Sequence, residues 1–273
     1  MTLQLSGPLL LVGAGKMGGA LLAGWLRQGL DPASVYVQDP TPAPDAAALM
    51  GSHGIRVRHQ AKLPAPPAVI VLAVKPQIID EVLPTLAASV GPSTVVLSIA
   101  AGRTLSNLAS RLPLETPIVR AMPNTPAAIG QGMTVACASS EVTRDQALCC
   151  TMLLEAVGEV IWIGDESLLD AVTAVSGSGP AYVFLLAECL AEAGVAVGLE
   201  PELASRLARA TLAGAGEFLR RSDLSPMELR QNVTSPKGTT AAALEELMGN
   251  DGLADLLKRA VAAAAKRSRE LSS

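Results

Sequence analysis

Leu9-Leu-Leu-Val-Gly-Ala-Gly-Lys-Met-Gly18 is the stretch around which the rest of the chain is organised. Its four leading apolar residues predict a short buried strand, and a helix is expected from Lys16 to Gln28. Three glycines have the spacing G-x-G-x-x-G, which between a strand and a helix is typical of dinucleotide binding. The first permits a sharp turn, the second leaves room for a pyrophosphate, and the third lets the helix pack closely on the strand. An ordinary glycine-rich turn is the alternative. The cofactor residues predicted in this stretch are Gly13, Ala14, Gly15, Lys16, Met17 and Gly18.

The composition sets limits on the class of protein. Hydrophobic residues make up 49 % of 273, so a sizeable core can be buried, and with two each of Trp, Tyr and Phe that core must consist of Ala, Leu and Val. The net charge of −4 and the absence of a basic patch argue against a nucleic-acid partner. The sequence contains no pattern of a secretory signal and no uninterrupted apolar run near the roughly 18 residues of a membrane span. We therefore expect a cytoplasmic protein without a membrane partner.

The cysteines and histidines do not form a metal-binding pattern. The cysteines match no zinc spacing and are expected to be buried free thiols. They are Cys137, Cys149, Cys150 and Cys189. His53 and His59, without a cluster of carboxylates or cysteines beside them, are expected on the surface. No metal site is predicted.

Strands and helices alternate through the first part of the chain, which predicts a doubly wound parallel sheet. Strands are expected at 9–12, 35–38, 55–57, 68–74, 94–99, 118–120 and 159–163, and further helices at 45–50, 78–90 and 144–156. The carboxyl ends of parallel strands share one edge, so four turns should face the same crevice. These turns are Gly13–Gly18, Ala73–Pro76, Ser98–Gly102 and Met122–Pro126.

Asp39 ends the second predicted strand, about 20 residues after Gly18, where an acidic residue typically binds the adenosine ribose of a dinucleotide. A carboxylate there would repel the 2′-phosphate of NADP, and no Arg or Lys follows until Arg56. A turn-initiating Asp before Pro40 is the equal alternative.

The pattern changes near Gly164, after which Ala- and Leu-rich helical periodicity replaces the strands. We predict a dinucleotide-binding domain at 1–164 and an all-helical domain at 165–273. The expected helices of the second domain are 167–175, 181–197, 201–220, 226–231, 239–248 and 253–270. The helix at 181–197 has few polar positions, chiefly Glu188 and Glu192, so we expect it to be buried against a second subunit in a homodimer.

Two segments interrupt this helical pattern. Ala174–Tyr182 contains Ser-Gly-Ser-Gly-Pro, which predicts either a helix kink or the close approach of a flat ligand to bare backbone, and Gly and Pro alone favour the kink. Asn232–Thr240 carries four hydroxyls around Pro-Lys-Gly, just before a new helix. Free N–H groups and hydroxyls together suit a carboxylate. A simple N-cap by Thr239 or Ser235 is the alternative.

The residues for side-chain acid–base chemistry are scarce. With two histidines, both in the first domain, no Ser-His-Asp arrangement is available. The turns and helix breaks also offer no pair of carboxylates. A reaction carried by a nicotinamide, with the protein supplying position and electrostatics, fits these residues better.

Taken together, these segments resemble the pyrroline-5-carboxylate reductase family over nearly the whole chain. The matching motifs are Gly13–Gly18, Ala73–Pro76, Arg120–Pro126, Ala174–Tyr182 and Ser235–Thr240, of which the last three are specific in this order and spacing. The resemblance implies a Rossmann domain, an interlocked helical dimer domain and often higher oligomers of dimers. It implies reduction of the C=N bond of 1-pyrroline-5-carboxylate to L-proline by NADPH or NADH, the last step of proline biosynthesis. It further implies an active site made from one subunit's nucleotide domain and helices that include the partner's.

The resemblance also implies roles for individual residues. The dinucleotide would be lined by the Gly13–Gly18 turn, by Asp39 and Ala100, and by two further groups. These groups are Ala73, Val74, Lys75 and Pro76, and Met122, Pro123 and Asn124. Ser176, Gly177 and Pro180 would lie near the reacting ring. Asn232, Ser235, Gly238, Thr239 and Thr240 would bind the substrate, chiefly its carboxylate. The family usually has glycine where this chain has Lys237, which could attract the carboxylate or point to solvent.

These roles yield a mechanistic hypothesis. The Ser235–Thr240 loop holds the carboxylate of a cyclic imine and turns the C=N carbon toward the nicotinamide. A pre-protonated iminium would bring its own proton, with Thr240 or a bound water as the fallback donor. Most of the rate gain would then come from orientation.

Two other classes remain open from the sequence. The β-hydroxyacid dehydrogenases pair a similar glycine-rich turn with a helical domain, but they use a helical lysine, whereas Lys237 is predicted in a loop and Lys258 lies far along the chain. A non-enzymatic dinucleotide sensor would use the helical domain only for dimerisation, which leaves the hydroxyl-rich loop without a purpose.

Overall fold

The computed structural model describes residues 3–58 and 63–272. The chain forms two compact units. The first ends at Gly177 and also contains the C-terminal segment from Ala265, and the second is Ser178–Ala264. His59, predicted on the surface, lies outside the described residues.

The first unit is built on one eight-stranded sheet. Its strands are β1 (Leu9–Val12), β2 (Val35–Gln38), β3 (Val57–Arg58), β4 (Val69–Leu72), β5 (Val95–Ser98), β6 (Ile118–Met122), β7 (Gly132–Ala138) and β8 (Gly158–Trp162). The strand order is β3-β2-β1-β4-β5-β6-β7-β8, and β1 to β6 are parallel. The central strands are apolar on both faces because helices cover both sides of the sheet. The predicted doubly wound parallel sheet is confirmed for these six strands.

The other edge of the sheet contains a strand that the sequence prediction did not include. Strand β7 pairs antiparallel with β6, and β8 then pairs parallel with β7. The predicted strand at 159–163 is therefore present as β8, but it runs opposite to β1–β6. The run Met-Thr-Val-Ala-Cys-Ala after Gly132 is apolar and partly β-branched, which was the available signal for β7.

Helices flank both faces of this sheet. They are α1 (Lys16–Arg27), α2 (Pro44–Ser52), α3 (Ile79–Leu86), α4 (Leu105–Ala109), α5 (Arg144–Glu155) and α6 (Leu169–Val172). The buried Trp25 of α1 donates its indole N–H to the carbonyl of Leu153 in α5 at 2.8 Å, which joins these two helices. Helix α4 was not predicted, since five residues are too short for a periodic pattern, although Thr104 caps it through Asn107.

The first unit continues beyond the predicted boundary near Gly164. Leu169 of α6 is buried against Val135 and Cys137 of β7, so this part of the chain belongs to the core around the sheet. The C-terminal segment packs on the same unit, where the Ser268 hydroxyl donates to Asp170 Oδ1 at 2.5 Å. The division between the units consequently falls after Gly177.

The second unit is entirely helical within the described residues. Its helices are α7 (Gly179–Ala196), α8 (Pro201–Arg221), α9 (Pro226–Asn232), α10 (Thr239–Leu247) and α11 (Leu253–Ser272), the last of which extends into the first unit. Helix α7 has no buried residue, and Phe184 is 61 % exposed. The rest of the protomer does not cover this apolar 18-residue helix. A second surface is therefore needed to bury it.

Candidate active site

The glycine-rich turn has the tight geometry that its sequence predicts. Gly13 has φ +97°, and a Cβ built there would lie 2.7 Å from the Ala73 carbonyl oxygen after β4. A Cβ on Gly18 would lie only 2.1 Å from the Gly13 carbonyl oxygen, because α1 begins directly against the turn. These two glycines therefore let β1, α1 and the end of β4 pack together.

Gly15 differs from both neighbouring glycines. A Cβ built on Gly15 would have no other protein atom within 4 Å. Gly15 is also the N-cap of α1, and no side chain caps this end of the helix. Unpaired N–H groups beside open space are what a pyrophosphate requires, so the residues present fit a dinucleotide.

A cleft of about 720 Å³ adjoins this turn. Its size falls within the usual range of small-molecule sites, about 300–1,000 Å³. The cleft is lined by Gly13 and Gly15, by residues 38–41 after β2, by residues 73–75 after β4, and by the first turns of α3. Two of the four predicted turns thus meet here, and the turns Ser98–Gly102 and Met122–Pro126 follow the adjacent parallel strands at the same edge.

The Asp39 carboxylate is fixed by two backbone groups. Its Oδ2 accepts from the Ala14 N–H at 2.5 Å, and its Oδ1 accepts from the Thr41 N–H at 2.7 Å. The second bond is the turn that the alternative interpretation predicted. The first bond ties β2 to the glycine-rich turn and holds the carboxylate at the cleft, so the turn role and a role toward a ribose are compatible.

The predicted cofactor residues differ in their exposure and therefore in which of their atoms could contact a ligand. Ala14, Ala100 and Pro123 are buried, so only their backbone could face a ligand. Lys16 and Lys75 are exposed. Met17 packs partly against the core. Their individual contacts with a dinucleotide remain predictions.

Asn124 links the loop after β6 to the predicted substrate segment. Its Nδ2 donates to the Ser176 carbonyl at 3.2 Å and to the Ser176 hydroxyl at 3.3 Å, while its Oδ1 accepts from the Met133 N–H at 2.9 Å. The side chain of Asn124 therefore acts within the protein, positioning Ser176 against β6 and β7.

The segment that ends at Gly177 is a short π-helix, Thr173–Gly177. A Cβ on Gly177 would approach the terminal methyl group of Met122 to 2.7 Å, so the bare backbone of Gly177 lies close to the end of β6. The predicted kink is therefore present, and single π-helical turns of this kind are frequent at functional sites. Pro180 follows at the start of α7, in the second unit.

One ion pair that positions this region was not predicted from the sequence. Arg120 of β6 is buried and pairs with Glu166 Oε1 at 2.7 Å. The same oxygen accepts from the Leu105 N–H at 2.7 Å. A lone arginine inside an apolar strand was the available signal, since a buried charge requires a partner. This pair fixes β6 just before the Met122–Asn124 loop.

In the second unit, the N-terminus of α10, which follows the Ser235–Gly238 loop, has no side-chain cap. The N-cap of α10 is Gly238, and no side chain caps it. The alternative that Ser235 or Thr239 serves as a simple cap is therefore wrong. The Thr234 hydroxyl is committed to the Arg230 carbonyl at 2.6 Å. Within the described residues, the hydroxyls of Ser235, Thr239 and Thr240 have no such partner.

Lys237 has a backbone conformation that normally favours glycine. Its φ is +59°, in the left-handed region, and its side chain is exposed. Lysine in place of glycine at this position therefore lowers the conformational stability of the loop by roughly 1 kcal/mol. Its ammonium makes no ion pair with the part of the chain that the structure describes. Asn232 ends α9 and is exposed.

The cysteines are free, but they are not all buried. Cys137 and Cys150 are buried, Cys149 is partly buried, and Cys189 is exposed in the single protomer, where it lies on the dimerisation helix α7. Burial raises the pKa of the Cys149 thiol to about 11, so this thiol stays protonated at neutral pH. His53 is exposed as predicted, and within the described residues no cluster of three or more His, Cys, Asp or Glu side chains could hold a metal.

The sheet, the glycine-rich turn and its cleft define the class: a dinucleotide-binding protein with a Rossmann-type domain and a separate helical region. Residues 166–271 match the family model of pyrroline-5-carboxylate reductase dimerisation, and residues 9–102 match that of NADP oxidoreductase, coenzyme F420-dependent. The pyrroline-5-carboxylate reductase of Pseudomonas aeruginosa is 42 % identical over 96 % of this chain and 95 % of its own length. This chain therefore belongs to the pyrroline-5-carboxylate reductase family.

Solved structures agree with this assignment. The reductase of Coxiella burnetii superposes with a TM-score of 0.90 at 34 % identity, covering 98 % of this chain and 99 % of the other. The Plasmodium falciparum enzyme, solved with NADP bound, has a TM-score of 0.83 at 29 % identity, and both chains are covered completely.

The dimerisation match accounts for the apolar surface of α7. One stretch of the described residues, Glu166–Ala196, is long and apolar enough to pass a length-and-composition test for a membrane span, but such a test is also passed by helices buried in protein interfaces. Because the stretch lies inside the dimerisation region, we assign its exposed apolar face to a homo-oligomer, as predicted. A cleft of about 640 Å³ between α7 and α8, lined by Phe184 and Leu212 among others, is part of this surface.

Proposed function

We propose that this chain reduces 1-pyrroline-5-carboxylate to L-proline with NADPH or NADH as the reductant, the last step of proline biosynthesis. The reduced nicotinamide supplies a hydride to the C=N carbon and becomes oxidised, while the imine nitrogen gains one proton. Family membership supports the reaction. The residues that bind and orient the substrate are this chain's own contribution.

The observation that carries the proposal is the loop at the start of α10. An uncapped helix N-terminus attracts an anion through its N–H groups and its partial positive charge. Ser235, Thr239 and Thr240 add hydroxyl donors that have no partner among the described residues. These groups suit a carboxylate, the one anionic group of the substrate.

Holding the carboxylate orients the imine ring, and orientation is the main source of catalysis in this proposal. The one titratable side chain in the loop is that of Lys237, which is exposed. In this proposal the substrate therefore enters as the protonated iminium and carries its own proton. The Thr240 hydroxyl, or a water held by it, is the alternative donor. Ser176, positioned by Asn124, is proposed to lie near the reacting ring.

The reaction itself is tested by adding pyrroline-5-carboxylate to the purified chain and following nicotinamide absorbance, with NADPH and NADH in parallel. Rapid oxidation with at least one cofactor is expected. Cofactor binding without oxidation would contradict the proposal and favour the dinucleotide sensor. We also propose a cytoplasmic location, as for a metabolic enzyme that draws on the pool of nicotinamide cofactor.

Replacing Thr240 with Ala should lower kcat/KM for the imine about tenfold or more, because a hydrogen bond to a charged group contributes roughly 1.5–3 kcal/mol. Steady-state kinetics measure this, and Thr240→Ser should restore most of the loss. Thr234→Ala is the matched control, since its hydroxyl is committed to Arg230 and its loss should leave KM for the imine unchanged. Equal kinetics for Thr240→Ala and the parent chain would exclude Thr240 from the site.

Lys237 offers a separate test of charge at the same loop. Lys237→Ala removes the charge and keeps the strained φ, whereas Lys237→Gly removes both. We expect each to raise KM for the imine about threefold, the size of an exposed charge interaction. In denaturant unfolding, the free energy of unfolding of Lys237→Gly should exceed that of Lys237→Ala by about 0.5 kcal/mol, because glycine relieves the strained φ. An unchanged KM, with unchanged salt dependence, would mean that Lys237 points to solvent.

A further inference from the structure

The carboxylate of Asp39 occupies the place where dinucleotide sites commonly read the adenosine ribose. It follows β2 directly, and it lines the cleft next to the glycine-rich turn. Both of its oxygens accept backbone N–H bonds, from Ala14 at 2.5 Å and from Thr41 at 2.7 Å. The negative charge is therefore held in one place rather than free to swing away from a ligand.

The same two bonds have a second consequence. A 2′-phosphate is commonly held by backbone N–H groups and by cations at this turn. The N–H groups of Ala14 and Thr41 are already used by Asp39. A 2′-phosphate would therefore meet a fixed carboxylate whose neighbouring N–H donors are satisfied.

The charged residues that line the cleft also disfavour a 2′-phosphate. Among the described residues that line it, the charged ones are Asp39, Glu81 and Lys75. The nearest described arginine on the neighbouring strand is Arg58, whose carbonyl accepts from the Asp39 N–H at 3.2 Å and whose side chain is exposed and outside the lining. Arg58 is thus the one residue of this edge strand that could oppose the effect of Asp39.

We infer that this site selects NADH over NADPH, and that Asp39 is the specificity-determining residue: its carboxylate accepts from the ribose hydroxyls and repels a 2′-phosphate. This inference rests on the proposed function only in assuming that the chain uses a reduced nicotinamide dinucleotide. The choice of NADH over NADPH is argued from Asp39 alone. The relative from Plasmodium falciparum was solved with NADP bound, so the preference for NADH is inferred from this chain's own residues and not from family membership.

The test measures dissociation constants of NADH and NADPH for the purified chain by nicotinamide fluorescence, and turnover separately. NADH should bind at least tenfold more tightly than NADPH. Asp39→Asn, which keeps the shape and one acceptor, should narrow this ratio at least tenfold, chiefly by strengthening NADPH binding. The thermal unfolding temperature of the variant should fall by only a few degrees, because one of the two backbone N–H groups keeps its acceptor and the other loses it.

Two variants separate the rival explanations. Arg58→Ala should leave NADPH affinity unchanged, and a large loss would show that Arg58 holds a 2′-phosphate and would overturn the inference. Glu81→Gln should have a much smaller effect on the ratio than Asp39→Asn. Equal effects would mean that overall cleft charge, not Asp39, sets the preference.

The outcomes distinguish this inference from the proposed function. Turnover of the imine with tighter binding of NADPH would overturn the inference and leave the function standing. Selective NADH binding without turnover of the imine would support the inference and remove the function. Binding of neither dinucleotide would overturn both.

Discussion

Gly15→Ala is expected to weaken dinucleotide binding by roughly 30-fold while the fold stays intact. The added methyl group would meet no protein atom within 4 Å, so it would occupy only the space that the pyrophosphate needs. Forcing one extra carbon into a filled site costs about 2 kcal/mol, which corresponds to this loss of affinity. Gly15 has φ −71°, which alanine adopts readily, so unfolding free energy should fall by less than about 1 kcal/mol. Fluorescence titration with NADH and NADPH, and denaturant unfolding, measure the two quantities.

Gly18→Ala is the matched comparison, with the opposite outcome. Its methyl group would lie 2.1 Å from the Gly13 carbonyl oxygen, a backbone atom that cannot move away without disturbing the turn. We expect a loss of about 3 kcal/mol or more in unfolding free energy. If Gly15→Ala destabilised the chain as much as Gly18→Ala, or left cofactor affinity unchanged, the assignment of Gly15 to the pyrophosphate would be wrong.

The second large effect is expected on the apolar face of α7. Phe184 is 61 % exposed in one protomer and lines the cleft between α7 and α8. Phe184→Glu would place a carboxylate in the interface twice, since a symmetric dimer repeats each contact. With about 2 kcal/mol for each buried unpaired charge, the dimer dissociation constant should rise about 10³-fold. Light scattering coupled to gel filtration should then show monomers at micromolar concentration, with activity falling in parallel.

Leu114→Glu provides the control for this experiment. Leu114 is 93 % exposed and lies in the first unit, outside the dimerisation match at 166–271. The same chemical change there should leave both the oligomer and the activity unchanged. A dimeric Phe184→Glu variant would show that the subunits associate through a different surface.

Much of the cofactor region could be predicted because its signals are local. The Gly13–Gly18 turn combines a strand, three glycines and a helix start within ten residues, so its geometry follows from backbone sterics alone. The parallel strands β1, β4, β5 and β6 then bring their following turns to one edge. The shared edge therefore follows from the strand pattern, and two of the four turns, Gly13–Gly18 and Ala73–Pro76, line the cleft.

Other parts of the site depend on contacts between distant residues. The bond from Asn124 to Ser176 spans 52 positions, and the Arg120–Glu166 pair spans 46. The local pattern at 118–126 contains a lone charge, Arg120, inside an apolar strand, but it does not identify the partner of Arg120 or of Asn124. The side-chain amide of Asn124 bonds Ser176 and Met133 within the protein, and the role of Asn124 at the cofactor stays a prediction.

The sequence by itself determined the parallel sheet, the glycine-rich turn, the helical second region and its need for a partner surface. These follow from periodicity, from glycine sterics and from an apolar helix without a polar face, all of which operate over a few residues. Only the tertiary structure decided the antiparallel addition of β7 and β8, the end of the first unit at Gly177, and the uncapped start of α10. Strand direction, unit boundaries and the partners of polar groups depend on which distant segments meet, and packing across the whole chain decides that.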